Sequence, residues 1–233
     1  MPCTLPASLA DAAVCRGSFH AVLGGEAGEA VFADFSAALQ KAQAEGQILT
    51  ASLFRYENHL FFYAEGLNRP FTPQGLCPAL DAALLPWPPA LGEAAPRPWA
   101  AMQPYFYHDV PTTAADWQRG RCPQRRRGRI ALLPPDSWCS YMEHHLRIVT
   151  EGLVEGDRWH LICVQEGVLF SYLEEPRTNV NIKHQPGAHS PELDAWIAAD
   201  PESHFARFTP EQKAHPDSSH NFVFLPRIAG TED

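Results

Sequence analysis

Residues 141–145 read Tyr-Met-Glu-His-His. They bring a phenol and two imidazoles into one predicted helix. An imidazole titrates near neutrality, so it can take or give a proton. A phenol can donate a hydrogen bond or relay a proton. At about 100° per residue, Trp138, Met142, Leu146, Val149 and Leu153 form an apolar stripe that is expected to face the core. His145 falls on the edge of that stripe, and Tyr141 lies beside it one turn earlier. His144 falls on the far side, toward water. Tyr141 and His145 are therefore the candidate catalytic pair.

Other residue types in the same half could bind a ligand. In the strand-like run "DRWHLICVQEG", Trp159, Leu161 and Cys163 share one face and His160 and Ile162 the other. In "DPESHFARF", His204 and Phe205 follow a short helix. Eight of the eleven histidines lie beyond residue 140, so polar chemistry is expected in the second half. No HxxxH, CxxC or HExxH ligand spacing and no glycine-rich phosphate loop is present. Neither a metal nor an organic cofactor is expected.

The elements that position these residues repeat along the chain. Leu60, Phe61, Tyr63 and Glu65 match Leu169, Phe170, Tyr172 and Glu174 at a spacing of 109. "PALDAALL" from Pro78 resembles "PELDAWIA" from Pro191, and "PYFYHDVP" resembles "HNFVFLP", in the same order. Each half reads β-α-β-β-α-β, the ferredoxin-like order. The strands fall at 18–23, 47–56, 59–65 and 103–109 in the first half, and at 129–134, 158–165, 168–174 and 220–225 in the second. The helices fall near 30–45 and 78–85, then near 136–153 and 191–199. Glu166-Gly167 suits a hairpin turn, and Ser190-Pro191 suits a helix start. The expected class is α+β. Two such repeats would pack sheet to sheet as an intramolecular α/β barrel, because a sheet with helices on one face needs a cover on the other.

The predicted organisation is a tail over 1–15, a first repeat over 16–111, a linker over 112–127, a second repeat over 128–228 and a tail over 229–233. The first repeat is read as a scaffold, since its helix "AVFADFSAALQKAQAEG" has no tyrosine–histidine pair at the matching positions. The linker holds Arg119, Arg121 and Arg125 to Arg127, and is read as a solvated basic loop.

Composition narrows the function classes. The 233 residues carry a net charge of −9, and 45% are hydrophobic. An acidic chain is a poor match for nucleic acid or an anionic membrane, so neither partner is expected. No apolar run of membrane-spanning length occurs, and the six cysteines form no CxxC pair. A cytoplasmic protein is expected, monomeric or a weak homodimer.

The second half, over about 128–226, resembles the L-rhamnose mutarotase family of the dimeric α/β-barrel group. "RIALLPPD", the Y-x-x-x-H pair Tyr141 and His145, the hairpin "WHLICVQEGVLFSYLEE" and the closing "FVFLP" carry the resemblance. It implies a sugar site at Tyr141 and His145, with His160 replacing a family tyrosine and His204 and Phe205 near a family tryptophan pair. The implied activity is that of a mutarotase-like epimerase. A monosaccharide would exchange anomers by His/Tyr acid-base catalysis against Trp159 or Phe205. Two alternatives stay open. One is a non-catalytic small-ligand-binding barrel of drifted function. The other is a haem-handling or monooxygenase-like barrel.

Overall fold

The computed structural model describes residues 6–120, 122–177, 183–184, 187–213 and 215–231; at 154, 155, 183 and 184 only the backbone is considered. In chain order the first elements are β1 (Val14–Val22), α1 (Glu29–Ala44), β2 (Ile48–Tyr56), β3 (His59–Leu67), α2 (Pro78–Ala83), β4 (Ala100–Ala101) and β5 (Gln103–Tyr107). They are followed by β6 (Arg125–Leu132), α3 (Pro135–Glu151), β7 (Val154–Glu155), β8 (Leu161–Gln165), β9 (Val168–Glu175), β10 (Lys183–His184), α4 (Pro191–Ala198), β11 (Val223–Leu225) and β12 (Arg227–Gly230). The class is α+β, with two antiparallel five-stranded sheets and four helices.

Two compact units divide the chain. One comprises residues 1–102, 111–123 and 226–233, the other 103–110 and 124–225. The first sheet has the order β12-β2-β3-β1-β4 and the second β5-β8-β9-β6-β11. The two orders match strand for strand. Ser52 pairs with Tyr63, and 109 residues later Leu161 pairs with Tyr172.

Local chemistry explains the shared elements. The β8–β9 turn places Glu166 and Gly167 at φ 50° and 78°, the left-handed pair that a tight hairpin demands. Gly167 is required there, since a Cβ would lie 2.8 Å from the Leu133 carbonyl oxygen. Ser190 caps α4 by accepting from the Leu193 amide at 3.0 Å, with Pro191 in the first turn. Helix α3 also opens with proline in its first turn and stops at Gly152, which takes φ 67°.

Three expectations need correction. The strand expected to close the first repeat, at 103–109, runs over Gln103–Tyr107 and pairs with β8 in the second sheet. The short β4 takes the matching place beside β1. Reciprocally, β12 pairs with β2 in the first sheet. Period-two patterning reveals a strand but not the edge it joins. Second, residues 158–160 are not strand. Arg158 and Trp159 turn, the His160 amide bonds the Asp157 carbonyl oxygen at 3.0 Å, and Arg158 pairs with Asp109 at 2.8 Å.

Third, the basic stretch is not a solvated loop. Arg119 is buried and makes a bidentate pair with Glu65, at 2.9 and 2.7 Å. Arg126 and Arg127 belong to β6. Arg126 approaches Glu174 at 3.9 Å, and Arg127 holds Glu175 and Asp217 at 2.7 Å each. Arg121 lies outside the described residues. Pairing a guanidinium with a carboxylate is the condition for burying it.

The core of the first unit lies between α1 and its sheet, around Phe35, Leu39, Phe62, Leu80 and Trp99. The other face of that sheet buries Ser18, His20, Ser52, Phe61, Tyr63 and Glu65, so it is polar as well as apolar. In the second unit the helix-side core holds Tyr105, Phe106, Tyr141, Ile148, Ile162, Val164, Trp196 and Phe205.

Candidate functional site

Helix α3 does not turn the expected stripe inward. Its buried residues are Tyr141, His145 and Ile148, whereas Trp138 and Leu146 are 39% and 46% exposed. The helix is rotated by about a quarter-turn relative to the reading from hydrophobicity. Tyr141 and His145 thus move from the edge of the buried face to its centre, at 3% and 4% exposure. His144, expected in water, is half-buried, with its ring 5.7 Å from that of Trp196.

Aromatic rings enclose His145. Its ring centroid lies 4.2 Å from Tyr141, 4.5 Å from Trp196, 4.7 Å from Phe106 and 5.5 Å from Tyr105. Tyr105 and Phe106 are adjacent in sequence, so a regular strand would send one of them away. The β5–β8 register shifts between Pro104 and Phe106, and this bulge brings both rings to the helix side. Trp196 comes from α4, and His204 and Phe205 from the turn after it. Tyr141 stands 5.9 Å from His204 and 5.1 Å from Phe205. His160 joins through Phe106 at 6.1 Å and His108 at 6.5 Å. Trp159 lies half-buried in the turn before β8.

Of the residues predicted from sequence, Tyr141, His145, His160, His204 and Phe205 therefore share one cluster. Tyr105, Phe106, His108, Arg129 and Trp196 were missed. The first three sit on a segment read as the end of the first repeat, and "PYFYHD" was the available signal. Trp196 lay unremarked in the quoted "PELDAWIA".

The electrostatics are those of a dry site. His145 Nδ1 lies 2.9 Å from the Tyr141 carbonyl oxygen, which can only accept, so Nδ1 carries the hydrogen and Nε2 the lone pair. Burial pulls the His145 pKa down to about 4, against the pull of that hydrogen bond, so the ring is neutral at pH 7. Burial, with Arg177, takes His108 down to about 4 as well. Tyr105 and Tyr141 are both held well above the ordinary phenol value by burial. Arg129, on the helix-side face of β6, is lowered to about 10 by burial and by Arg177. Its Nε is buried without a hydrogen-bond partner among the described residues, while its guanidinium sits 4.3 Å from the Phe222 ring centroid. The phenols of Tyr141 and Tyr105 and the carboxylate of Glu202 fall within its field.

No group of three or more metal-ligating side chains is found among the described residues. Among them, too, no helix is long and apolar enough to cross a membrane. Cys122 is disulfide-bonded, whereas Cys15, Cys77, Cys139 and Cys163 are free thiols.

No protein-family model matches the chain, and no curated protein does. Solved structures show a weak likeness. One is a "putative monooxygenase" from Lactobacillus acidophilus, with TM-score 0.40, 7% identity and coverage of 94% of this chain and 96% of that one. Another is a "putative monooxygenase" from Fusobacterium nucleatum, with TM-score 0.40, 8% identity and 94% coverage of each chain. A third is an anthrone oxidase-like protein, with TM-score 0.39, 7% identity and coverage of 99% and 94%.

These matches overturn the likeness to L-rhamnose mutarotases and the sugar-epimerase reading drawn from it. The site agrees with that correction. A monosaccharide needs hydrogen-bonding partners around its ring, and the wall about His145 is made of aromatic faces and edges.

Proposed function

We propose that the second unit holds an oxygenase-like site for a planar aromatic small molecule bearing an acidic hydroxyl. The observation that carries this reading is a pair of groups about Tyr141: Arg129, whose buried Nε has no hydrogen-bond partner among the described residues and whose field reaches the Tyr141 phenol, and the neutral, tautomer-fixed His145 against the Tyr141 ring. A buried guanidinium without a hydrogen-bonded carboxylate favours an anion. A neutral imidazole can accept the proton whose loss creates one. His145 would take the hydroxyl proton at Nε2, and Arg129 would stabilise the resulting phenolate or enolate. The aromatic wall of Phe106, Trp196 and Phe205 would hold the ring system. His160 and His204 would border it. Electron-rich enolates react with dioxygen, so the compounds handled by anthrone oxidase-like proteins are the first to try.

The rings fill their own cluster, so a ligand enters only if Trp196 and His204 swing aside. That movement makes binding visible in tryptophan fluorescence. The test is oxygen uptake and fluorescence titration with a hydroxylated anthrone and a naphthol. The expected result is saturable binding, weakened at least tenfold in Arg129→Gln, and uptake lost in His145→Gln. Binding equal in wild type and Arg129→Gln would end the reading.

A further inference from the structure

The rotation of α3 leaves an apolar stripe on the outside of the second unit. Trp138, Met142 and Leu146 line a groove of about 660 Å³ with Cys139, Pro191 and the stems of Glu143, Arg147 and Glu151. That volume falls within the range of small-molecule sites. An exposed tryptophan and leucine on one helix face have no role in the core and invite a cover.

Charge along the groove is uneven. Arg147 lies in its middle, 2.6 Å from Glu143 and 3.7 Å from Glu192. Glu151, at the far end, accepts a hydrogen bond from the Ser190 hydroxyl, and no cation pairs with it among the described residues. It is also the last residue of α3, and no basic residue stands in that helix's final turn. The carbonyl end of a helix carries a partial negative charge, so a carboxylate there is repelled unless a cation joins it. From Trp138 to Glu151 the helix rises about 20 Å, and the groove that begins on the apolar residues takes in Glu151 at its far end.

We propose that this groove binds an amphipathic organic cation, a long-chain primary amine. The ammonium sits at Glu151 and the α3 carboxyl-terminal carbonyls, and the chain lies over Leu146 and Met142 toward Trp138. An anionic amphiphile would place its charge against Glu151 and is excluded. The site lies outside the His145 cluster, about a quarter-turn round the same helix from its buried face.

The experiment is calorimetric titration of the whole protein with dodecylammonium and with dodecanol, below their aggregation concentrations. Saturable one-to-one binding of the amine is expected, at least tenfold tighter than the alcohol. Glu151→Gln keeps an acceptor for Ser190 and should weaken the amine about tenfold without changing the alcohol. Leu146→Asp, on the exposed face, should abolish both while leaving the melting temperature unchanged. Equal affinity for amine and alcohol, no effect of Glu151→Gln, or absence of saturable binding would each overturn the assignment.

Discussion

The two units repeat one strand plan, yet they differ in what each helix presents to its sheet. Helix α1 buries Phe32, Phe35, Leu39 and Ala42, and Trp99 completes a hydrocarbon core. Helix α3 buries Tyr141, His145 and Ile148 at the corresponding place. At the 109-residue spacing, Phe32 stands where Tyr141 does and Ser36 where His145 does. The fold is therefore satisfied without an imidazole or a phenol there. The opposite sheet faces teach the reverse. Tyr63 donates to Glu65 at 2.7 Å, and Tyr172 donates to Glu174 at 2.6 Å. Arg16 is the strand partner of Glu65, as Arg126 is of Glu174. A pattern kept in both halves marks what the sheet needs, and a pattern kept in one marks what the site needs.

The largest effect should come from breaking the shared pattern. Glu65 accepts from Tyr63, Trp117 at 3.0 Å and both terminal nitrogens of Arg119. Burial alone would raise its pKa, but Arg119 and its hydrogen bonds hold it down to about 2. Glu65→Ala strands a buried guanidinium and should cost about 3–5 kcal/mol in urea unfolding. If the loss were under about 1 kcal/mol, the polar face would not be structural.

The next effect separates the halves by pH. The folded-state pKa of His145 lies below its unfolded value, so the unfolded chain binds the proton more readily. The associated stability is whole above pH 6.5 and is lost as pH falls toward 4. The His145 share of the loss should reach roughly 3 kcal/mol and should be removed in His145→Leu, leaving that of His108, measured as melting temperature against pH. An unchanged pH profile in that variant would remove His145 from the dry site.

Gly156 sharpens the same half. A Cβ there would fall 2.0 Å from the His108 ring. Gly156→Ala should cost about 1–3 kcal/mol and shift the His108 and His160 ring resonances together. The smallest effect is expected at Leu146, and its contrast with Ile148 tests the rotation of α3. Ile148→Ala should cost about 2–5 kcal/mol, whereas Leu146→Ala should stay within about 0.5 kcal/mol. A reversed order would restore the stripe read from hydrophobicity.

Much of the plan was legible in the chain itself. The repeat, the β-α-β-β-α-β order, the Glu166-Gly167 turn and the Ser190-Pro191 start are local or periodic signals, and each element is found near its expected place. Tyr141 and His145 were also legible, because four-residue spacing makes them neighbours on any helix. Sequence alone did not supply the rotation of α3. Its apolar stripe and its half-polar face were both available, and hydrophobicity chose the stripe. Tertiary packing chose the other face, because Trp196, Phe106 and Tyr105 meet Tyr141 and His145 there edge to face. Nor could the chain announce that β5 would join β8. Strand patterning carries no address, so pairing is decided only when two edges meet. That pairing, with its bulge at Tyr105, is what encloses His145 among aromatic rings.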